Sequence, residues 1–117
     1  MASHNILGSK GEDEAIRYLQ TRGYDILERN WRYRNVEIDI IAETREHIAI
    51  VEVKARTSAK YGTPEEFISA AKQKHLIQAA NAYAEQNEVN KELQFDVISV
   101  IFKPEFRLEH IKEAFYP

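Results

Sequence analysis

Cysteine is absent from the 117 residues, which excludes disulfides, thiolate metal sites and a cysteine nucleophile. Glycine and proline are scarce, four and three residues, and scattered. No segment therefore has the composition of a linker, and no repeat or low-complexity tract is visible. One domain spanning residues 1–117 is expected. Long apolar runs are missing too: stretches such as Ile48-Ala49-Ile50-Val51 are strand-length, too short for a membrane-spanning helix. The first residues, Met1 to Asn5, lack a basic region followed by an apolar one, so no signal peptide is expected. With the lack of cysteine, this points to a cytoplasmic setting. Nor is there an excess of basic charge. Sixteen basic against nineteen acidic residues give a net charge of −3, and on that number alone nucleic acid is not the obvious partner. What is present is ordinary for a globular chain: 44% hydrophobic and 30% charged residues, too apolar for a disordered one.

The pattern predicts seven elements. Ser9-Lys10-Gly11-Glu12 has capping-box spacing and opens a helix to about Arg22, with Ala15, Ile16 and Leu19 as its apolar stripe and Gly23 as a left-handed stop. Tyr24 to Trp31, Asn35 to Glu43 and Ile48 to Arg56 read as strands, the last two rich in β-branched residues around a polar turn. Thr63-Pro64-Glu65-Glu66 has the cap, proline and acids of a second helix. That helix continues through Phe67, Ala71, Ile77, Ala80 and Tyr83 to about Gln86, with room for a break. Leu93 to Phe102 and Phe106 to about Ile111 are strands separated by Lys103-Pro104-Glu105. The order is α-β-β-β-α-β-β. A strand, a long helix and another strand imply a right-handed crossover and a parallel pair. The fold class is α/β, a mixed sheet with a helix on each face.

The chemistry gathers on the two central strands. Alternation puts Glu37, Asp39 and Ile41 on one face of the first and Val36, Ile38 and Ile40 on the other. On the second, Ile50, Glu52 and Lys54 oppose Ala49, Val51 and Val53. Keeping the apolar sets together requires a four-residue connection, Thr44 to His47, which sets Asp39 opposite Glu52 and Glu37 opposite Lys54. Two facing carboxylates cost free energy unless a proton or a cation lies between them. A hard divalent cation suits them, because Mg²⁺ takes one or two carboxylates, keeps several waters and accepts phosphate oxygens. A lysine two residues along the same face can stabilise charge developing on a phosphate.

Asp39, twelve residues, then Glu52-Val53-Lys54 resembles the PD-(D/E)xK nuclease motif. The whole chain resembles the YraN-like family of small bacterial proteins, through Leu7-Gly8-Ser9-Lys10-Gly11-Glu12, Glu28-Arg29-Asn30-Trp31-Arg32, Glu37-Ile38-Asp39-Ile40-Ile41-Ala42, Val51-Glu52-Val53-Lys54-Ala55-Arg56, Tyr61-Gly62-Thr63-Pro64-Glu65 and Phe95-Asp96-Val97. The resemblance implies a restriction-endonuclease-like fold akin to Holliday junction resolvases, and cleavage of branched or structured DNA with Mg²⁺ or Mn²⁺. It implies that Asp39 and Glu52 hold the metal, that Lys54 is catalytic and that Glu12 is an added acid of the site. Gln73 and Glu37 are possible supports. Where the family carries glycine before Glu-Ile-Asp, this chain has Asn35-Val36. Resolvase-like relatives are dimers, so a homodimer is one expectation.

Other readings stand beside these. Glu12 is equally explained as the acid of the capping box. Arg29-Asn30-Trp31-Arg32-Tyr33-Arg34 interleaves cations with aromatics, suiting phosphate contact and base stacking, or else forms an edge strand with its aromatics turned inward. Arg56 and Lys60 would extend a basic rim. Asp96 is expected to face solvent, and His4, His47, His75 and His110, which lack ligand spacing, to lie on the surface. Two functions compete: a metal-dependent nuclease, and a nuclease-like module that binds DNA or a DNA-processing protein without turnover. The charge balance is compatible with both, since Glu12, Glu37, Asp39 and Glu52 less Lys54 already account for −3.

Overall fold

The computed structural model describes residues 6–58 and 68–117. Helix α1 is Ile6–Thr21, followed by strands β1 (Asp25–Tyr33), β2 (Val36–Glu43) and β3 (His47–Ser58), helix α2 (Ala70–Gln86), and strands β4 (Glu92–Lys103) and β5 (Arg107–Phe115). The expected order holds. One five-stranded sheet runs β1-β2-β3-β4-β5, antiparallel throughout except for the parallel β3–β4 pair, whose crossover is α2.

Each helix covers one face. Ala15 and Leu19 of α1 pack with Ile40, Ala42, Ala49, Val51, Ile98 and Val100. On the opposite face, Leu76, Ala79, Ala80 and Tyr83 of α2 pack with Ile41, Ile48, Ile50, Phe95 and Val97. Gly11 is what lets α1 sit down on β3, because a methyl in its place would come within 2.5 Å of the Ala55 Cβ. α1 ends as the sequence predicts, with Gly23 at φ 88°. Gly23 N–H donates to Gln20 O and Tyr24 N–H to Leu19 O, the paired bonds of a Schellman stop.

Its start differs from expectation. Ser9 and Glu12 lie inside α1 rather than at its cap, so the capping-box reading of Glu12 fails. The opening expected at Thr63 to Phe67 lies outside the described residues. The helix described after it begins afresh at Ser69, extended at φ −67°, ψ 160°, whose hydroxyl accepts from Lys72 N–H. β3 and β5 also run longer than their sequence patterns suggest.

The β2–β3 hairpin has the register that its apolar pattern demands. Glu43 pairs with Ile48, leaving Thr44 to His47 as the connection, and the ladder continues to Ile40↔Val51. The alternation on β2 departs from expectation. Val36 and Ile38 join the α2-side core instead of the face of Ile40. β1 makes the same change of side. Arg29 reaches α1, whereas Trp31 packs edge-on against Tyr83 of α2 at 5.2 Å. Between them Asn30 has φ 55°, a left-handed conformation that asparagine tolerates better than most residues. The flip lies beside Asp39, at the point where the β2–β3 ladder stops.

Asp96 and His110 also depart from expectation. Asp96 is fully buried, and His110 is buried with it. The β4–β5 register shifts between Phe95 and Val97, so that three residues of β5 lie opposite Asp96. The Asp96 carboxylate compensates for the interrupted ladder by accepting the Glu113 N–H at 3.0 Å. It also accepts from Gln94 at 3.1 Å and contacts His110 Nε2 at 2.7 Å. His110 Nδ1 in turn meets the Tyr18 hydroxyl at 3.0 Å, tying β4, β5 and α1 together.

Candidate functional site

One step past Ile40↔Val51 the register sets Asp39 opposite Glu52. There the strands part, and a side chain takes over from the backbone ladder: Asp39 Oδ2 accepts the Val53 N–H at 2.8 Å. Glu52 is buried, about 5% exposed. Its Oε2 receives the Lys72 ammonium at 2.6 Å and lies 3.6 Å from that of Lys54. Two carboxyls and two ammonium groups thus meet where β2, β3 and the first turn of α2 converge. Beside them is a cavity of about 400 Å³, lined in part by Glu37, Asp39, Ser69, Lys72 and His75.

The electrostatics follow from this packing. Burial, then the charge of Glu52, and to a smaller extent that of Glu12, push the Asp39 carboxyl up to about 8, against the pull of the Val53 N–H and Lys72. Near neutrality Asp39 therefore carries a proton for much of the time. Burial alone would lower the Lys72 pKa, but Glu52 outweighs it through charge and hydrogen bond, with help from Asp39 and Glu37, and the net shift is upward. The ammonium is fixed in its charged form. A proton on Asp39 and the Lys72 ammonium on Glu52 supply the positive charge that this carboxyl pair draws, the place that a hard cation of the Mg²⁺ type would take.

Glu12 stands apart from that pair. It is buried, with Arg29 Nε at 3.2 Å from Oε1 and Asn30 Nδ2 at 3.1 Å from Oε2. Arg29 continues to Asp13 at 2.8 Å and to the Ser9 carbonyl at 3.1 Å. Among the described residues, no three His, Asp or Glu side chains stand together in metal-holding geometry. The structure brings Asp39, Glu52 and Lys54 together and gives Glu12 to Arg29 and Asn30.

The remaining candidates are dispersed. Glu37 lies 3.7 Å from Arg32 across the β1–β2 pair. Arg34 is exposed, at φ 59°, with its guanidinium 5.1 Å from the centre of the Tyr33 ring. Trp31 and Tyr33 stack at 6.4 Å, and β1 is an edge strand. Arg56 is on β3, two residues beyond Lys54. Gln73 donates to the Ile68 carbonyl at 3.2 Å. Lys60 lies outside the described residues.

Lys72 is the site residue that sequence reasoning missed, and a signal for it was present. It sits three residues after the capping Ser69, in the first helical turn, where the helix dipole disfavours a cation. A lysine there needs an acidic partner, and Glu52 is that partner.

Known proteins agree with the resemblance in the sequence. The family described as "Uncharacterised protein family UPF0102" matches residues 11–100. UPF0102 protein FP2501 of Flavobacterium psychrophilum is 45% identical over 117 residues, covering 99% of this chain and 98% of the relative. The UPF0102 protein of Bacteroides thetaiotaomicron is 44% identical over 118 residues, covering 100% and 98%. That of Geobacter metallireducens is 45% identical over 118 residues, covering 98% and 97%. With most of the sequence matched and these relatives aligned nearly end to end, the chain belongs to the UPF0102 family, the YraN-like group.

Proposed function

We propose that the protein is a metal-dependent endonuclease that hydrolyses phosphodiester bonds in branched or structured DNA. The observation that carries this reading is the Asp39–Glu52 pair at the parting of β2 and β3, with Lys54 on the same strand face as Glu52. Asp39 and Glu52 hold Mg²⁺ or Mn²⁺, which when bound activates water and polarises the phosphate. Loading requires Asp39 to give up its proton, so metal uptake strengthens as pH rises. Lys54 places its ammonium beside the carboxylates and stabilises the negative charge that builds on the phosphate. Glu12, held by Arg29 and Asn30, adds negative potential and orients the β1 side of the site without being a ligand. Arg34 and Arg56, with Lys60, supply phosphate contacts at the rim.

Incubation of the protein with Mg²⁺ or Mn²⁺ and labelled duplex, flap, single-stranded and four-way DNA tests the reading. Cleavage of at least one of them is expected, lost in Asp39→Ala without loss of the fold. No cleavage of any would overturn it.

A second reading takes support from Glu52 being engaged by Lys72 and from the dispersal of Glu12. The fold then serves as a module that binds DNA or a DNA-processing protein without turnover. DNA affinity that falls steeply with salt and survives in Asp39→Ala, without cleavage, distinguishes it.

A further inference from the structure

Glu52 Oε2 has two ammonium groups within reach, and they differ in origin. Lys54 belongs to the same strand and stands at 3.6 Å. Lys72 comes from the start of α2 and makes the short contact, 2.6 Å. Its placement is unfavourable for the helix, since a positive charge in the first turn opposes the positive end of the dipole. The Ser69 cap accepts the Lys72 backbone N–H, so the Lys72 side chain contributes nothing to capping. Its ammonium serves the carboxylates, as the attraction of Glu52, Asp39 and Glu37 for it also indicates.

A buried carboxylate left without a counter-charge is costly. Before any metal arrives, something has to meet that need. The Lys72 chain is 42% exposed while Glu52 is 6% exposed, so the ammonium reaches in from an accessible stem and can swing out again. Its way out is the cavity of about 400 Å³ that Asp39, Glu37 and His75 also line.

We propose that Lys72 is a resident counter-cation, holding Glu52 in place in the metal-free protein, yielding to a divalent cation, and then turning into the cavity to meet a substrate phosphate. This inference rests on the metal-dependent reading of Asp39 and Glu52 and adds a residue that reading does not require. Lys72 is a positioning residue in the metal-free state and a phosphate contact in the loaded one. A divalent cation has to compete with it, so the intrinsic metal affinity of the site is set below what the two carboxylates alone would give.

The test is calorimetric titration of Mn²⁺ into wild type, Lys72→Met, Lys72→Arg and Lys72→Met/Asp39→Asn at pH 8, each first shown to be folded by circular dichroism. Lys72→Met should bind Mn²⁺ about tenfold more tightly than wild type, since the competing charge is gone. Lys72→Arg keeps the charge and should bind no more tightly than wild type. The double variant should lose the site, which locates the gain at Asp39. Equal or weaker binding in Lys72→Met, with wild type binding normally, would overturn the inference and leave the metal reading standing. Lack of Mn²⁺ binding by both would overturn the inference together with the reading it rests on.

Discussion

Asp39 is the residue on which the electrostatics of the site turn. Its carboxyl replaces a backbone acceptor for Val53 and sits within the field of Glu52 and Glu12. Its pKa in the folded chain, about 8, lies above the unfolded value of about 3.9. Between those values the folded chain binds more protons than the unfolded one. The contribution of this group to stability is therefore complete below about pH 4 and is lost as pH rises through about 8, when the metal-free protein must ionise a half-buried acid beside Glu52. Asp39→Asn keeps an oxygen for Val53 and removes the charge. Urea unfolding between pH 4 and pH 8 without metal should show that this variant loses the decline and gains on the order of 1–3 kcal/mol at pH 8. An unchanged slope would mean that Asp39 ionises freely. Asp96 makes the contrast: fully buried where Asp39 is half-buried, it has its needs met by Glu113 N–H, Gln94 and His110, and nearby Tyr24 is raised first by burial and then by the charges of Asp96 and Tyr18. Asp96 is fully partnered inside a bulge, whereas Asp39 accepts one backbone N–H beside a cavity.

At the scale of elements, the geometry of the site depends on how closely α1 approaches β3. Gly11 makes that approach possible, and Glu12 follows it in the chain, so an added methyl pushes the helix outward and carries Glu12 away from Arg29 and Asn30. Gly11→Ala should cost about 1–3 kcal/mol by thermal or urea unfolding, and adding Ala55→Gly should recover most of the loss, because the clash is between those two Cβ atoms. No recovery in the double variant would place the cost elsewhere. The element scale also shows what the residue pattern could and could not reveal. The β2–β3 register was legible because a one-residue slip would have buried carboxylates against valines, and so was the Gly23 stop. The left-handed turn at Asn30 was not, because period-two alternation assumes an uninterrupted strand, and Asn30 reverses the sides of Arg29 and Trp31. The bulge at Asp96 was hidden for the same reason: an acid in an apolar strand reads as solvent-facing until a break in the partner strand offers it an N–H. The opening expected at Thr63 lies outside the described residues, and the Ser69 cap falls where the sequence reading left room for a break.

At the scale of the whole molecule, the fold brings three separate stretches to one point. β2 supplies Asp39, β3 supplies Glu52 and Lys54, and the crossover helix supplies Lys72 some twenty residues later in the chain. The first three were legible in the sequence, since a hairpin fixes which residues face each other. Lys72 depends on where the crossover returns to the sheet: its place in a first helical turn signals an acidic partner but does not say which one. The net charge of −3 likewise says little about nucleic acid, because a whole-chain sum does not report where the charges lie. The central claim is that this convergence carries out hydrolysis rather than binding alone, and Lys54 separates the two, being neither of the proposed metal ligands nor a rim contact. The measurement is single-turnover cleavage of a four-way junction with Mn²⁺, wild type against Lys54→Ala, alongside the Kd of each for the same junction. The expected result is a rate constant at least about 100-fold lower in the variant, with Kd changed by less than about threefold. Cleavage by Lys54→Ala at the wild-type rate, or binding by wild type with no cleavage, would contradict it.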